Sequence, residues 1–265
     1  MSDSRSGMTH PHPAASAPQR GPLSSLFHDA ADPPAPADEV AWYAARLPRG
    51  VGRILQPMSG SGRILQPLLE AGFSVDGVDA SESMLAACAA RVTSTGRDPQ
   101  LFRQDVAVLN LPFRYGAAYM AGGTFQLLTG RHAAIDALLR IRAHLVAPAL
   151  LLLDLSIPDQ AEHPPGAAVI EVSHVALGDG TLLARRSERV IDIARRQVRT
   201  QSRYERRARS RIVAREDETT TMTWYDEKQI TTLVSDTGYC DVRIEPPATT
   251  SPHARHFAVS ARTPG

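Results

Sequence analysis

Gly60, Gly62 and Asp79 are the residues whose types and spacing could do chemistry. They belong to two neighbouring stretches, Ile54-Leu55-Gln56-Pro57-Met58-Ser59-Gly60-Ser61-Gly62-Arg63 and Val75-Asp76-Gly77-Val78-Asp79. Close glycines let a loop backbone approach a ligand where a Cβ would collide. A carboxylate ending the next strand can accept hydrogen bonds from both hydroxyls of a ribose. Together they would hold a nucleoside cofactor across the ends of two parallel strands. Position 65 is Leu. The third glycine of the dinucleotide fingerprint, which lets helix and strand pack beside a pyrophosphate, is therefore missing, and this argues against NAD.

The elements that must position these residues alternate. Strands are predicted at about 52–57, 74–78, 99–103, 115–120 and 148–154, and helices at about 62–71, 82–92 and 131–145. Such alternation, with nearly continuous apolar strands, gives a parallel sheet covered on both faces, with ligands at the carboxyl ends of the strands. Ahead of it, Asp38 is placed to cap a helix bearing Val40, Tyr43, Ala44 and Leu47, which Pro48 stops. From Ala168 to Trp224 the pattern alternates with a period of two, and turns are signalled at Gly178-Asp179-Gly180 and Ala194-Arg195. That predicts three or four antiparallel strands. A helix from Asp226 to Thr237, stopped by Gly238, and strands at about 240–245 and 255–261 complete the chain. The fold class is α/β, a doubly wound, mostly parallel, seven-stranded Rossmann-like sheet with an antiparallel β insertion after the fifth strand. The expected division is a disordered tail over 1–22, a main domain over 23–155 and 225–265, and an insertion over 156–224.

Bulk composition is that of a soluble globular protein, 43% hydrophobic and 22% charged, with a net charge of +1 that argues neither for nor against a polyanionic partner. Lys228 is the only lysine against 28 arginines, a skew that points to genome composition. Cys88 and Cys240 have no metal-ligand spacing and are expected to be reduced thiols, and no metal is expected. His10 and His12 belong to the loose tail. The longest apolar run, Leu145 to Leu153, is too short to span a membrane, and the first residues lack a signal core, so a cytoplasmic protein without membrane contact is expected.

The wider context resembles the class I S-adenosylmethionine-dependent methyltransferases, small-molecule type. The run Ile54 to Arg63 is similar to their first motif, and Val78-Asp79-Ala80-Ser81-Glu82-Ser83-Met84-Leu85 to their second. Gln104-Asp105-Val106 looks like their adenine-facing acidic turn, and Tyr115 to Ala121 like their fourth strand. Ala143-His144-Leu145 to Asp154 looks like their helix-to-fifth-strand passage. Trp224 to Ile230 and Gly238 to Val242 resemble their late helix and sixth strand. The resemblance spans residues 38 to 262. It implies S-adenosyl-L-methionine as cofactor, held by Gln56, Met58, Ser59, Gly60, Ser61, Gly62, Asp79, Ala80, Met84, Gln104, Asp105, Val106 and Ala121. It also implies methyl transfer to nitrogen or oxygen of a small molecule. Two positions depart from the pattern. Gln56 stands where an acid is usual, which weakens the hold on the cofactor's α-ammonium by about 1 kcal/mol. Gly116 stands where the fourth strand normally has an acid. A cofactor binder that has lost transfer is the corresponding alternative.

Thr124 and Gln126, just beyond the fourth strand, are the residues expected to touch the acceptor. Met84 suits core packing or an adenine contact equally. The approach from Phe27-His28 through Trp42-Tyr43 could form a lid, or Trp42 could simply pack. Methyl transfer asks mainly that an acceptor lone pair be held in line at about 3 Å. A hydroxyl acceptor would also need a base. His28, His132, His174 and Glu218 are available, and no catalytic residue is singled out. Twelve arginines between Arg185 and Arg215 suggest a nucleic-acid patch. However, Val198, Thr200, Ser202 and Tyr204 alternate with Arg199, Arg203 and Arg207, and no aromatic residues interleave to stack on bases. A half-buried strand with a solvated face is the reading, used as a cap over a small-molecule pocket or as a homodimer surface. An RNA or protein methyltransferase using the arginine face is the competing one.

Overall fold

The computed structural model describes residues 20–31, 35–159, 166–249 and 254–265. The tail expected over 1–22 lies outside them as far as residue 19, and His10 and His12 with it. Two helices, α1 (Pro22–Ala31) and α2 (Ala37–Arg46), come first. The alternating part follows as β1 (Arg53–Pro57), α3 (Leu65–Glu70), β2 (Ser74–Asp79), α4 (Glu82–Val92), β3 (Leu101–Arg103), β4 (Tyr115–Met120), α5 (Arg131–Ala143) and β5 (Leu145–Pro158). Four long strands come next: β6 (Ala168–Ala176), β7 (Leu182–Asp192), β8 (Gln197–Ala208) and β9 (Arg211–Thr223). Helix α6 (Glu227–Asp236) and strands β10 (Cys240–Glu245) and β11 (Ala254–Arg262) finish the chain.

The seven-stranded sheet has the order β10-β11-β5-β4-β1-β2-β3, and β11 alone runs against its neighbours. Its strands are apolar on both faces because both faces are covered. Ala118 and Met120 of β4 join the cluster under α5 and α6, while Ala117 and Tyr119 join the one under α2, α3 and α4. β6 to β9 form a separate antiparallel sheet. The arginine-rich strand alternates as its sequence requires, with Ser202 and Tyr204 buried and Arg199, Arg203 and Arg207 exposed. Helix α1 packs on the inner face of this sheet, where Phe27 meets Leu183 and Tyr204.

Three boundaries differ from expectation for identifiable reasons. Asp38 does not cap α2. The chain enters from Pro36 in an extended conformation, and Asp38 lies inside the first turn, accepting from its neighbour Glu39 N. Helix α3 starts at Leu65, not 62, because Gly62 has φ +80° and cannot be helical. β5 runs on to Pro158 because β11 pairs with it from Leu150 to that residue.

Candidate functional site

β1 and β2 end side by side, and the turn between β1 and α3 folds back over them. Met58, Gly60 and Gly62 have φ of 54°, 56° and 80° there. Ser59 N donates to Val78 O at 2.9 Å, and Gly62 N to Ser59 O at 3.1 Å. The two glycines serve different ends. A Cβ on Gly60 would meet nothing within 4 Å, so this position opens on empty space. A Cβ on Gly62 would lie 2.6 Å from Cys88 Sγ, so Gly62 is small to let α4 approach. Gly62→Ala adds a crowded methyl to a left-handed backbone and should lower stability by about 2 kcal/mol. Gly60→Ala should bear only the backbone share, about 1 kcal/mol. Urea unfolding of both variants distinguishes them.

Asp79, at the tip of β2, accepts from Gly60 N through Oδ2 and from Ser81 N through Oδ1, both at 2.9 Å. Ser81 itself caps α4 by accepting from Met84 N. Asp79 is therefore not needed as a cap, and each oxygen keeps a lone pair for a further donor. Burial pushes its carboxyl above the usual range, against the pull of the Ser81 and Gly60 N–H groups.

Two adjoining cavities lie at this end of the sheet, of about 80 Å³ and about 250 Å³. Met58, Gly60, Met84 and Thr124 border both. Asp79, Ala80, Gln104 and Val106 border the smaller, and Gln56, Ser59, Ser61 and Ala121 the larger. Three expected residues border neither. Gly62 faces α4. Asp105 caps a short turn by accepting from Ala107 N. Gln126 is 1% exposed, and its amide is taken by Ser156 N, Ser156 O and Thr223 O. It braces the loop after β4, so its amide is engaged within the fold. Gln56 is also buried, and its Oε1 accepts from Tyr119 OH at 2.8 Å.

Several residues join the site through long-range contacts. Arg20 borders both cavities. Its carbonyl accepts from Ser81 Oγ, and its guanidinium lies 3.5 Å from Glu218. Helix α1 is thereby tied to α4 on one side and to the insertion on the other, where Glu216 accepts from Leu23 N and Ser24 N. His28 and Arg63 border the larger cavity, and Arg63 makes a two-pronged pair with Glu39, which is 2% exposed. Asp154, inside β5, accepts from Gly122 N at 3.1 Å and lies 3.5 Å from Tyr43 OH. Burial pushes its carboxyl up to about 6. Of the bases the sequence offers, His28 borders the cavity, Glu218 is engaged by Ser24 and Tyr204, and His132 and His174 are exposed. The lid expected from Phe27 to Tyr43 is divided. α1 and the residue leading into it cover the cavities, Arg20 over both and His28 over the larger, whereas Trp42 packs outside, under Arg46 and against Pro246 O.

Residues 54–146 match the family described as a methyltransferase domain. No curated protein matches the sequence. Among solved structures, the sugar N-methyltransferase KedS8 from Streptoalloteichus is similar over 100% of both chains, with TM-score 0.71 and 15% identity. A S-adenosylmethionine-dependent methyltransferase from Clostridium acetobutylicum superposes with TM-score 0.70 at 13% identity, covering 91% of this chain and 97% of its own. CalS10, an amino pentose methyltransferase from Micromonospora echinaspora solved with S-adenosylmethionine bound, gives TM-score 0.60 at 20% identity, covering 85% and 91%.

Proposed function

We propose that this chain, a methyltransferase whose domain at residues 54–146 takes S-adenosyl-L-methionine as methyl donor, delivers the methyl group to an amine nitrogen of a small, hydroxylated acceptor such as an amino sugar. The residues at the cavities fit the donor. Asp79 has lone pairs to spare for two ribose hydroxyls, Met84, Gln104 and Val106 border the space for a base, and Gly60 leaves room above the backbone. Ser59 Oγ is buried without a partner at the edge of the larger cavity. The donor, when bound, supplies both the methyl group and its own leaving group. The chain's part is to orient an acceptor lone pair in line and keep water out.

The observation that carries the acceptor class is the inner face of the β6–β9 sheet. There, cross-strand neighbours Ser187, Ser202 and Glu218 form one row, and Arg189, Thr200 and Thr220 the next. Glu218 joins this face to Arg20 and so to both cavities. Hydroxyls and paired charge on this face, linked to the cavities through the Glu218–Arg20 contact, suit a sugar ring better than an apolar acceptor. The similar sugar and amino pentose enzymes point the same way. An amine acceptor must arrive uncharged, and His28 stands where it can take the proton shed after transfer.

The outer face does not favour nucleic acid. Arg203 is paired with Asp217, and Arg207 and Arg215 with Glu205, which leaves less free charge than the arginine count suggests. Gln56 favours a second reading, cofactor binding without turnover, because a neutral amide that already accepts from Tyr119 stands where the family usually has an acid. Mass spectrometry after incubation with donor and matched amino-sugar and hydroxy-sugar nucleotides tests the proposal. A methylated amino sugar is expected. Methylation of the hydroxy analogue alone, or of RNA, overturns the nitrogen assignment. Cofactor bound by calorimetry with no turnover on the panel selects the second reading.

A further inference from the structure

Away from the cofactor cavities, a hollow of about 450 Å³ opens where the N-terminal ends of α5 and α6 meet the turn between β7 and β8. Its floor is apolar, made by Tyr225, the edge of Trp224 and Leu233. Its rim is cationic, with Arg131, Arg195, Arg196 and Lys228. A smaller hollow of about 270 Å³ shares Arg196 and Trp224 with it. The size falls within the range of ordinary ligand sites, roughly 300–1,000 Å³.

Two of these cations are placed against the interest of the helices that carry them. Arg131 opens α5, which has no acid in its first turn and no side-chain cap, and Lys228 is the second residue of α6. Positive charge in a first turn opposes the helix dipole, where an acid would stabilise. Arg131, Arg195 and Arg196 have exposed partners in Asp236, Asp192 and Asp226. Such pairs are weakly held and can rearrange around an incoming anion. Lys228 has no ion-pair partner among the described residues. The uncapped end of α5 and four cationic side chains, three of them paired with exposed carboxylates, thus converge on one apolar floor.

We propose that this hollow is a second binding site, for a small organic anion. Its flat apolar body lies on Tyr225 and the edge of Trp224, and its carboxylate, sulfonate or phosphate meets the rim. The site backs onto the turn after β4: Gln126 Nε2 donates to Thr223 O at 3.4 Å, and the rings of Phe125 and Tyr225 are 6.0 Å apart. The probe is 8-anilinonaphthalene-1-sulfonate, titrated by fluorescence into the full chain with and without saturating S-adenosylhomocysteine. Saturable binding is expected in both conditions, weaker at high salt. Lys228→Glu reverses a rim charge and should weaken it about tenfold without lowering the unfolding midpoint. Thr232→Trp, which fills the hollow from the exposed face of α6, should abolish it. Displacement of the dye by the nucleoside, or unchanged affinity in both variants, overturns the proposal.

Discussion

Asp79→Asn is expected to raise the dissociation constant for S-adenosylhomocysteine about 100-fold. Two ribose hydroxyls that would donate to a carboxylate meet a neutral amide with a single acceptor oxygen. Each bond loses roughly 1–1.5 kcal/mol of charge assistance, so the pair accounts for about two powers of ten. The loss is not one of folding. The Asp79 carboxyl is held above its usual range by burial, so removing its charge relieves a cost of the folded state. Against that gain, either Gly60 N or Ser81 N loses its acceptor. The two changes oppose each other, and the unfolding midpoint should move by only a few degrees. Calorimetric titration beside a thermal melt checks both halves. Binding within threefold of the parent would remove Asp79 from the cofactor site, whereas loss of the cooperative melt would make it a folding residue.

Asp154→Asn should act mainly on stability, and in a pH-dependent way. Burial raises the carboxyl from 3.8 to about 6, so the folded state binds its proton more tightly than the unfolded chain. The associated stability is fully present below pH 4 and is lost as pH rises through about 6. The size of the shift corresponds to about 3 kcal/mol. Asparagine cannot ionise, yet its carbonyl can still accept from Gly122 N and Tyr43 OH. At pH 8 the variant should be more stable than the parent by about 2 kcal/mol, and at pH 4 nearly equal. Asp79 shifts in the same direction, while Asp226, lowered by its Gln229 backbone bond, adds stability that is lost as pH falls. The difference between parent and variant, not the slope of either, therefore reports on Asp154. Urea unfolding from pH 4 to 8 measures it. A variant less stable at pH 8 would show that the charged form is the one the fold prefers.

The sequence made the glycine turn legible because its constraints are local. A left-handed backbone at Gly60 and a carboxylate ending the next strand can be read from adjacent letters. The alternation of Ser202 and Tyr204 with Arg199 and Arg203 was equally local, and it separated the insertion from the parallel sheet. What escaped depends on partners far along the chain. Gln126 looks available in its turn, and only Ser156, 30 residues on, shows that its amide is spent. Tyr43 and Asp154 are 111 residues apart, though an acid closing the leucine run 150–153 was a visible anomaly. Arg63, directly after the second glycine, was within the motif, but nothing nearby marks Glu39 as its buried partner. Arg20 carried no signal, since its place over both cavities is set by Ser81 and Glu218 together.

The skew from lysine to arginine has a practical consequence at the second hollow. An acylating reagent selective for lysine side chains has one target in the whole sequence, and that target stands on the rim beside Trp224. A single reporter attached there would sit within energy-transfer range of an indole that lines the same hollow. Occupancy could then be followed optically, without engineering a cysteine or blocking the two already present.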